Sequence, residues 1–177
     1  MKKIKTKIKD LFILKGKTYF DYRGFLREAF KVKHINKRII FSIVSKSKKN
    51  VIRGLHFQSK NPQDKLIVVL RGKILDVAID LRKNSKTFGK TFNIILSDRN
   101  SLSLYIPEGF AHAYYSYENV NIVYYKLTNY YKPKFESGIN LMDSNLKIKW
   151  PRKKFFISKK DLKLGSFKEF CKNYKFL

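Results

Sequence analysis

Cysteine is all but missing from this sequence. The single Cys171 leaves no partner for an internal disulfide and no set of thiolates for a metal centre. Histidine is nearly as scarce: His34, His56 and His112 are the only three, and no H-x-H pair occurs. A metal site built from converging imidazoles is therefore not expected. A G-x-S-x-G elbow and a G-x-x-x-x-G-K loop are also absent, so neither a serine-nucleophile hydrolase nor a phosphate-loop enzyme is indicated. No apolar run approaches the ~20 residues of a membrane helix. The stretch Leu11 to Leu14 is too short for the core of a signal peptide. These absences lead us to expect a cytoplasmic protein in a reducing compartment, with no cofactor, no metal and no membrane partner.

Acidic residues are few as well. Thirteen Asp and Glu face 40 Lys and Arg, for a net charge of +27. Such an excess raises nucleic-acid binding as a function. The basic residues are 32 Lys against only 8 Arg, whereas groove and phosphate recognition favours the arginine fork. The lysines are also spread along the chain, and the densest clusters, KKIKTKIK and SKSKKN, are short. A solvated basic surface is expected, with no specific nucleic-acid partner; it suits an anionic substrate.

What is present is a globular composition, 44% hydrophobic and 15% aromatic in 177 residues. That is enough for one domain, residues 1–177, with a proper core. Short β-type runs follow one another at 24–30, 39–44, 51–57, 66–70, 74–81, 92–96, 102–106, 111–117 and 121–127. Turn signals such as KSKKN, KNPQD, PEG and YEN separate them. In ILDVAIDL, Leu75, Val77, Ile79 and Leu81 alternate with Asp76, Ala78 and Asp80. Many short strands at near-regular spacing predict an all-β sandwich or barrel. A helical C-terminal segment is expected at about 158–177. There Ser166 and Glu169 form a capping box, and Phe167, Phe170, Cys171 and Tyr174 share one helical face. Cys171 is read as a small buried hydrophobe.

Ionisable groups embedded in the β-type runs are the candidates for chemistry: Arg23, Glu28, Arg53, His56, Lys65, Asp76, His112 and Tyr125. Singly, each is more simply a solvated charge or a hydrogen-bonded core residue. NVIRGLHFQ poses a geometric problem. Arg53 and His56 are three apart and would point to opposite faces of a regular strand. If both line one pocket, the alternation must slip, and Gly54 makes irregular backbone at Gly54–Leu55 the expected place. Tyr125 shares its face with Val123 and Leu127 and is expected to point inward.

Taken in order, RGLHFQ, KLIVVLRGKILDVAIDLRKNSKTFGK, YIPEGFAHAYYS, YYKLTNYYKPKFESGI, IKWP and ISKKD resemble the dTDP-4-dehydrorhamnose 3,5-epimerases. The likeness runs from about Phe12 to Asp161, most of the chain. It implies a jelly-roll (cupin-like) barrel with short C-terminal helices, usually a homodimer that shares its N-terminal strand, and a place in dTDP-rhamnose and polysaccharide biosynthesis. It implies a nucleotide-diphosphate 4-keto-6-deoxy sugar as substrate, inverted at C3 and C5 through an enolate.

By this resemblance His56 is the base, Asp161 the carboxylate that orients it, Lys65 the cation at O4 and Tyr125 the proton donor. Arg23, Glu28, Arg53, His112, Tyr131, Glu136, Tyr19 and Asp76 fall to substrate binding, with Arg23 and Glu28 serving the neighbouring subunit's site. The chemistry needs such a set. A ketone α-proton lies roughly a dozen pKa units above imidazole, about 16 kcal/mol, so a base alone is insufficient and the enolate oxygen needs a cation. The resemblance breaks at one place. Where the family typically carries Q-x-N to bind substrate, this chain has Phe41, Ser42 and Ile43. The alternatives are an epimerase of one carbon only on a related nucleotide sugar, and a non-catalytic sugar-nucleotide or nucleic-acid binding protein.

Overall fold

The computed structural model describes residues 1–152 and 154–173. Thirteen strands make up most of it. In chain order they are β1 (Lys2–Lys5), β2 (Phe12–Lys15), β3 (Thr18–Asp21), β4 (Gly24–Arg27), β5 (Phe41–Ser47), β6 (Ile52–Gln58), β7 (Lys65–Arg71), β8 (Lys73–Asp80), β9 (Thr91–Ser97), β10 (Leu102–Ile106), β11 (Phe110–Ser116), β12 (Asn121–Leu127) and β13 (Glu136–Gly138). One sheet runs β1-β2-β10-β7-β12-β5, the other β13-β6-β11-β8-β9, and β3–β4 form a separate hairpin. From β5 to β12 the chain crosses between the two large sheets at every step except β8 to β9. This is the jelly-roll expected from the sequence.

Three apolar layers result. Between the sheets, Ile67, Val69, Leu104 and Val123 of one sheet meet Ile74, Ala78, Leu96 and Tyr114 of the other. The outer face of the five-stranded sheet, with Ile52, Leu55, Phe57 and Val77, is covered by Ile139, Leu141, Leu146 and Phe170 from the C-terminal segment. The outer face of the six-stranded sheet buries Phe12, Leu14, Leu66 and Val68 against Ile35. With both faces covered, β8 is buried nearly throughout, and its Asp76 and Asp80 are fully buried among the apolar layers. Asp80 is held there by Arg82, Ser85 and Thr87, as a buried charge requires.

The C-terminal helical segment is smaller than expected. Ser158 to Lys160 lie outside any helix, Asp161–Lys163 form one 3₁₀ turn, and α1 spans Phe167–Asn173. The capping box is present: Ser166 N donates to Glu169 Oε2 at 2.6 Å and Glu169 N donates to Ser166 Oγ at 3.1 Å. The expected burial of Cys171 is corrected, because it is exposed. So short a helix meets the body only through Phe167 and Phe170, which contact Phe88 and Phe57. Tyr174 lies outside the described residues. No helix among the described residues is long and apolar enough to cross a membrane.

The slip in β6 is where it was expected. Tyr114 pairs with Arg53 and His112 with His56, so Ala113 alone faces Gly54 and Leu55. Two residues opposite one make a bulge, and the phase of the strand reverses across it. Ile52, Leu55 and Phe57 enter the outer core, while Arg53 and His56 both face the interior cleft. Gly54 has φ +128 and the Gly54–Leu55 peptide is cis. A Cβ on Gly54 would lie 2.3 Å from Ala113 Cβ and 2.6 Å from the His112 carbonyl oxygen. Gly54→Ala should therefore cost about 2–4 kcal/mol of stability, measured by urea unfolding; a loss below about 0.5 kcal/mol would contradict the crowding.

Candidate active site

A cleft of about 530 Å³ opens between the two sheets. The five-stranded sheet sends in Arg53 and His56 from β6, His112 and Tyr114 from β11, and Glu136 from β13. The six-stranded sheet sends in Ile43 and Ser45 from β5, Lys65 from β7, and Tyr125 and Leu127 from β12. Residues 156–158 with Lys160 and Asp161 close one side. Tyr125 points inward, as its phase predicts. Its neighbour Tyr124 packs against the outer layer.

His56 Nε2 lies 2.7 Å from Asp161 Oδ1, and the Asp161 side chain is 5% exposed. The Asp161 backbone N–H donates to Ser158 Oγ at 3.0 Å, which fixes the turn that presents the carboxylate. The other ring nitrogen of His56, Nδ1, faces the cleft, 3.8 Å from Glu136 Oε1. Glu136 is tied to Lys160 and accepts a 2.5 Å hydrogen bond from the Tyr131 hydroxyl. Burial opposes ionisation of Glu136, but the hydrogen bonds from Lys160 and Tyr131 outweigh it and hold its carboxyl below the usual range. A second His–Asp pair lies deeper, with His112 Nε2 2.9 Å from Asp76 Oδ2, both buried. Asp76 Oδ1 is buried without a hydrogen-bond partner among the described residues.

On the opposite sheet, burial pushes the Lys65 ammonium down to about 8, against the pull of the Glu136 and Asp76 carboxylates. The Lys65 ammonium makes no hydrogen bond or ion pair with any described residue, so its charge is free for a ligand. Burial first, then Tyr114 and Asp76, push the Tyr125 phenol well above its usual value. Tyr125 thus keeps its proton at neutral pH. Arg53 spends Nε on Ser47 Oγ (3.0 Å) and Nη2 on the Lys46 carbonyl (3.3 Å), which leaves Nη1 for a ligand at the mouth.

Nine of the twelve residues singled out from the sequence are therefore in or directly behind one cleft: His56, Asp161, Lys65, Tyr125, Arg53, His112, Asp76, Tyr131 and Glu136. Tyr19, Arg23 and Glu28 are not. Tyr19 lies exposed on the β3–β4 hairpin; Arg23, in its turn, pairs with Asp21 at 2.6 Å. Glu28 pairs with the N-terminal amine at 2.6 Å and with Lys31. Several cleft residues were overlooked, Tyr114, Ser158 and Lys160 among them. Tyr114, whose hydroxyl bonds Ser45 and Ser47, sits two residues past His112 on the same strand face. Ser158 and Lys160 sit in ISKKD, next to Asp161. The apolar Ile43 does face the cleft, and Phe41 packs on the Tyr130 ring at 5.7 Å.

A family profile described as dTDP-4-dehydrorhamnose 3,5-epimerase matches residues 5–169. The chain is 42% identical over 153 residues to the dTDP-4-dehydrorhamnose 3,5-epimerase of Methanothermobacter thermautotrophicus, covering 84% of this chain and 83% of that one. It is 38% identical over 177 residues to the Escherichia coli enzyme of the same name, covering 96% of each. A crystal structure of a Legionella pneumophila dTDP-6-deoxy-D-glucose-3,5-epimerase in complex with dTDP-4-keto-L-rhamnose superimposes with a TM-score of 0.90 at 40% identity. That match spans 93% of this chain and 92% of the other.

Lys65 links the cleft to stability. Its folded pKa lies below the unfolded 10.5, so holding the ammonium charged costs the fold. The cost is complete below pH ~8 and fades between ~8 and ~10.5, as the proton leaves the folded state first. Lys65→Met should stabilise the protein by about 1–3 kcal/mol at pH 7, and the gain should shrink as pH rises to 10. Urea melts across that range check it; a destabilised variant at pH 7 would contradict it.

Proposed function

The chain belongs to the dTDP-4-dehydrorhamnose 3,5-epimerase family, and on that premise we propose that it converts dTDP-4-dehydro-6-deoxyglucose to dTDP-4-dehydrorhamnose. It does so by removing and replacing the protons at C3 and C5. One observation carries the proposal: a basic imidazole and a protonated phenol enter a single cleft from opposite sheets. Inversion needs that arrangement, because the proton must leave from one face of the carbon and return on the other.

His56 Nδ1 takes the α-proton, since Nε2 is committed to Asp161. Asp161 orients the ring and supports the imidazolium. The electron pair moves onto O4, where Lys65, still mostly charged at neutral pH, meets it in a partly dry site. Tyr125 then gives its proton to the carbon from the six-stranded side, most directly at C5. Solvent resets both groups. His112 (held from behind by Asp76), Tyr131 and the free Nη1 of Arg53 bind the sugar nucleotide, as does Glu136, and the net charge of +27 favours its diphosphate.

The proposal extends to a cytoplasmic homodimer that shares strands through its N-terminal region. The β3–β4 hairpin leaves Phe20 76% and Tyr22 97% exposed, and β5, at the edge of its sheet, leaves Val44 exposed. Apolar surface of this kind fits a partner. It would carry Tyr19, Arg23 and Glu28 towards the neighbour's cleft.

The test is incubation with dTDP-4-dehydro-6-deoxyglucose in D₂O, following C3 and C5 by NMR. Wild-type protein should place deuterium at both carbons and form the epimer. His56→Asn should slow both exchanges by about a thousandfold with the fold intact, and Asp161→Asn should slow them less. Exchange at both carbons persisting in His56→Asn would refute the assignment of the base.

A further inference from the structure

The base stands between two carboxylates. Asp161 holds Nε2 at hydrogen-bond distance, 2.7 Å, while Glu136 Oε1 stands 3.8 Å from Nδ1, beyond a hydrogen bond but within ion-pair reach. Glu136 is fixed from its other oxygen: Lys160 and the Tyr131 hydroxyl both engage Oε2. Its backbone is fixed as well, because β13 pairs with β6, with Gly138 opposite His56 and Glu136 opposite Gln58. Lys160 directly precedes Asp161. One short turn, Ser158 to Asp161, therefore delivers a carboxylate to one side of the imidazole and a cation to the carboxylate on its other side.

We infer that Glu136 and Lys160 act as a coupled pair that sets the basicity of His56: Glu136 supports the imidazolium from the Nδ1 side, and Lys160 holds that support in check. The inference rests on the reading of His56 as the base. Its logic is a balance. When Nδ1 takes a proton, the new charge lies beside the Glu136 carboxylate and is stabilised. Glu136 alone would bias the ring to be protonated before substrate arrives, and a protonated ring accepts nothing. With Lys160 on the same carboxylate the local charge is close to neutral, and that bias is offset. The other groups facing the ring keep their places in the variants below. They are Asp161 from the closing turn, Lys65 from the opposite sheet, His112 (backed by Asp76) across the β6–β11 pair, Arg53 on its own strand, and the neutral Tyr125 and Tyr131.

Both residues are positioning residues in this role, and they predict effects of opposite sign. The chain has only three histidines, so the ring signals can be followed singly in ¹³C-histidine-labelled protein, with His56→Asn identifying the His56 peak. Glu136→Gln should lower the His56 titration midpoint by about one pH unit, and Lys160→Met should raise it by about half a unit or more. In the double variant, the effect of Lys160→Met should fall to less than half, because it acts mainly through Glu136. The acid limb of the kcat/KM profile for deuterium wash-in should move in the same directions. Midpoints unmoved in both variants, or moved with the same sign, overturn the inference and leave the epimerase reading standing. Absence of exchange in the wild-type protein overturns both, since His56 is then no base.

Discussion

The site depends on one packing constraint, the contact of Gly54 with Ala113. β6 must supply apolar side chains to the outer core and polar ones to the cleft, and strict alternation cannot put both Arg53 and His56 inside. The bulge solves this by letting Gly54 and Leu55 share one opposite residue. Leu55 rejoins Ile52 and Phe57 in the outer layer, and His56 rejoins Arg53 in the interior. Only glycine fits there: a side chain would collide with Ala113 and with the His112 carbonyl. The same residue therefore sets the core on one face and the His56 imidazole on the other.

The division of labour between the sheets follows from the jelly-roll crossings. The five-stranded sheet carries the imidazoles with Asp76 and Glu136, the closing turn brings Asp161, and the six-stranded sheet carries the phenol and the lone ammonium. Each sheet alone has a consistent electrostatic character. Paired His–Asp groups are suited to holding positive charge, while the unpaired Lys65 ammonium is suited to meeting negative charge. An unpartnered cation in a half-buried position is costly to the fold. That cost is the mark of a group arranged for a ligand and not for the free protein.

How much could be read from the residues alone varies with the regularity of the strand. From Val123 to Leu127 β12 keeps an unbroken register with both neighbours, so phase placed Tyr125 inward correctly. β7, β8, β10 and β12 were legible to within a residue or so, because their apolar runs are dense. β1 and β13 were not: KKIK has one apolar residue in four, and β13 is three residues long. Alternation in ILDVAIDL was real, but whether Asp76 and Asp80 met solvent or a buried partner depended on a second covering layer. Cys171 misled because a helical stripe says nothing of how many of its residues the body reaches. Asp161 is 105 positions from His56, and no local pattern joins them; only the family resemblance did so. Lys160 was hidden beside it, a lysine among 32 until the closing turn brought it to Glu136.

The central claim is that proton removal and proton return come from opposite sheets, and Tyr125→Phe tests it most directly. The substitution keeps the ring and its packing and removes only the donor. In D₂O the variant should carry deuterium into recovered substrate through His56, on the original face, while forming little epimer at C5. Wild-type protein should couple exchange to inversion. Inversion of both carbons at the wild-type rate in Tyr125→Phe would show that the proton returns from elsewhere and would contradict the account.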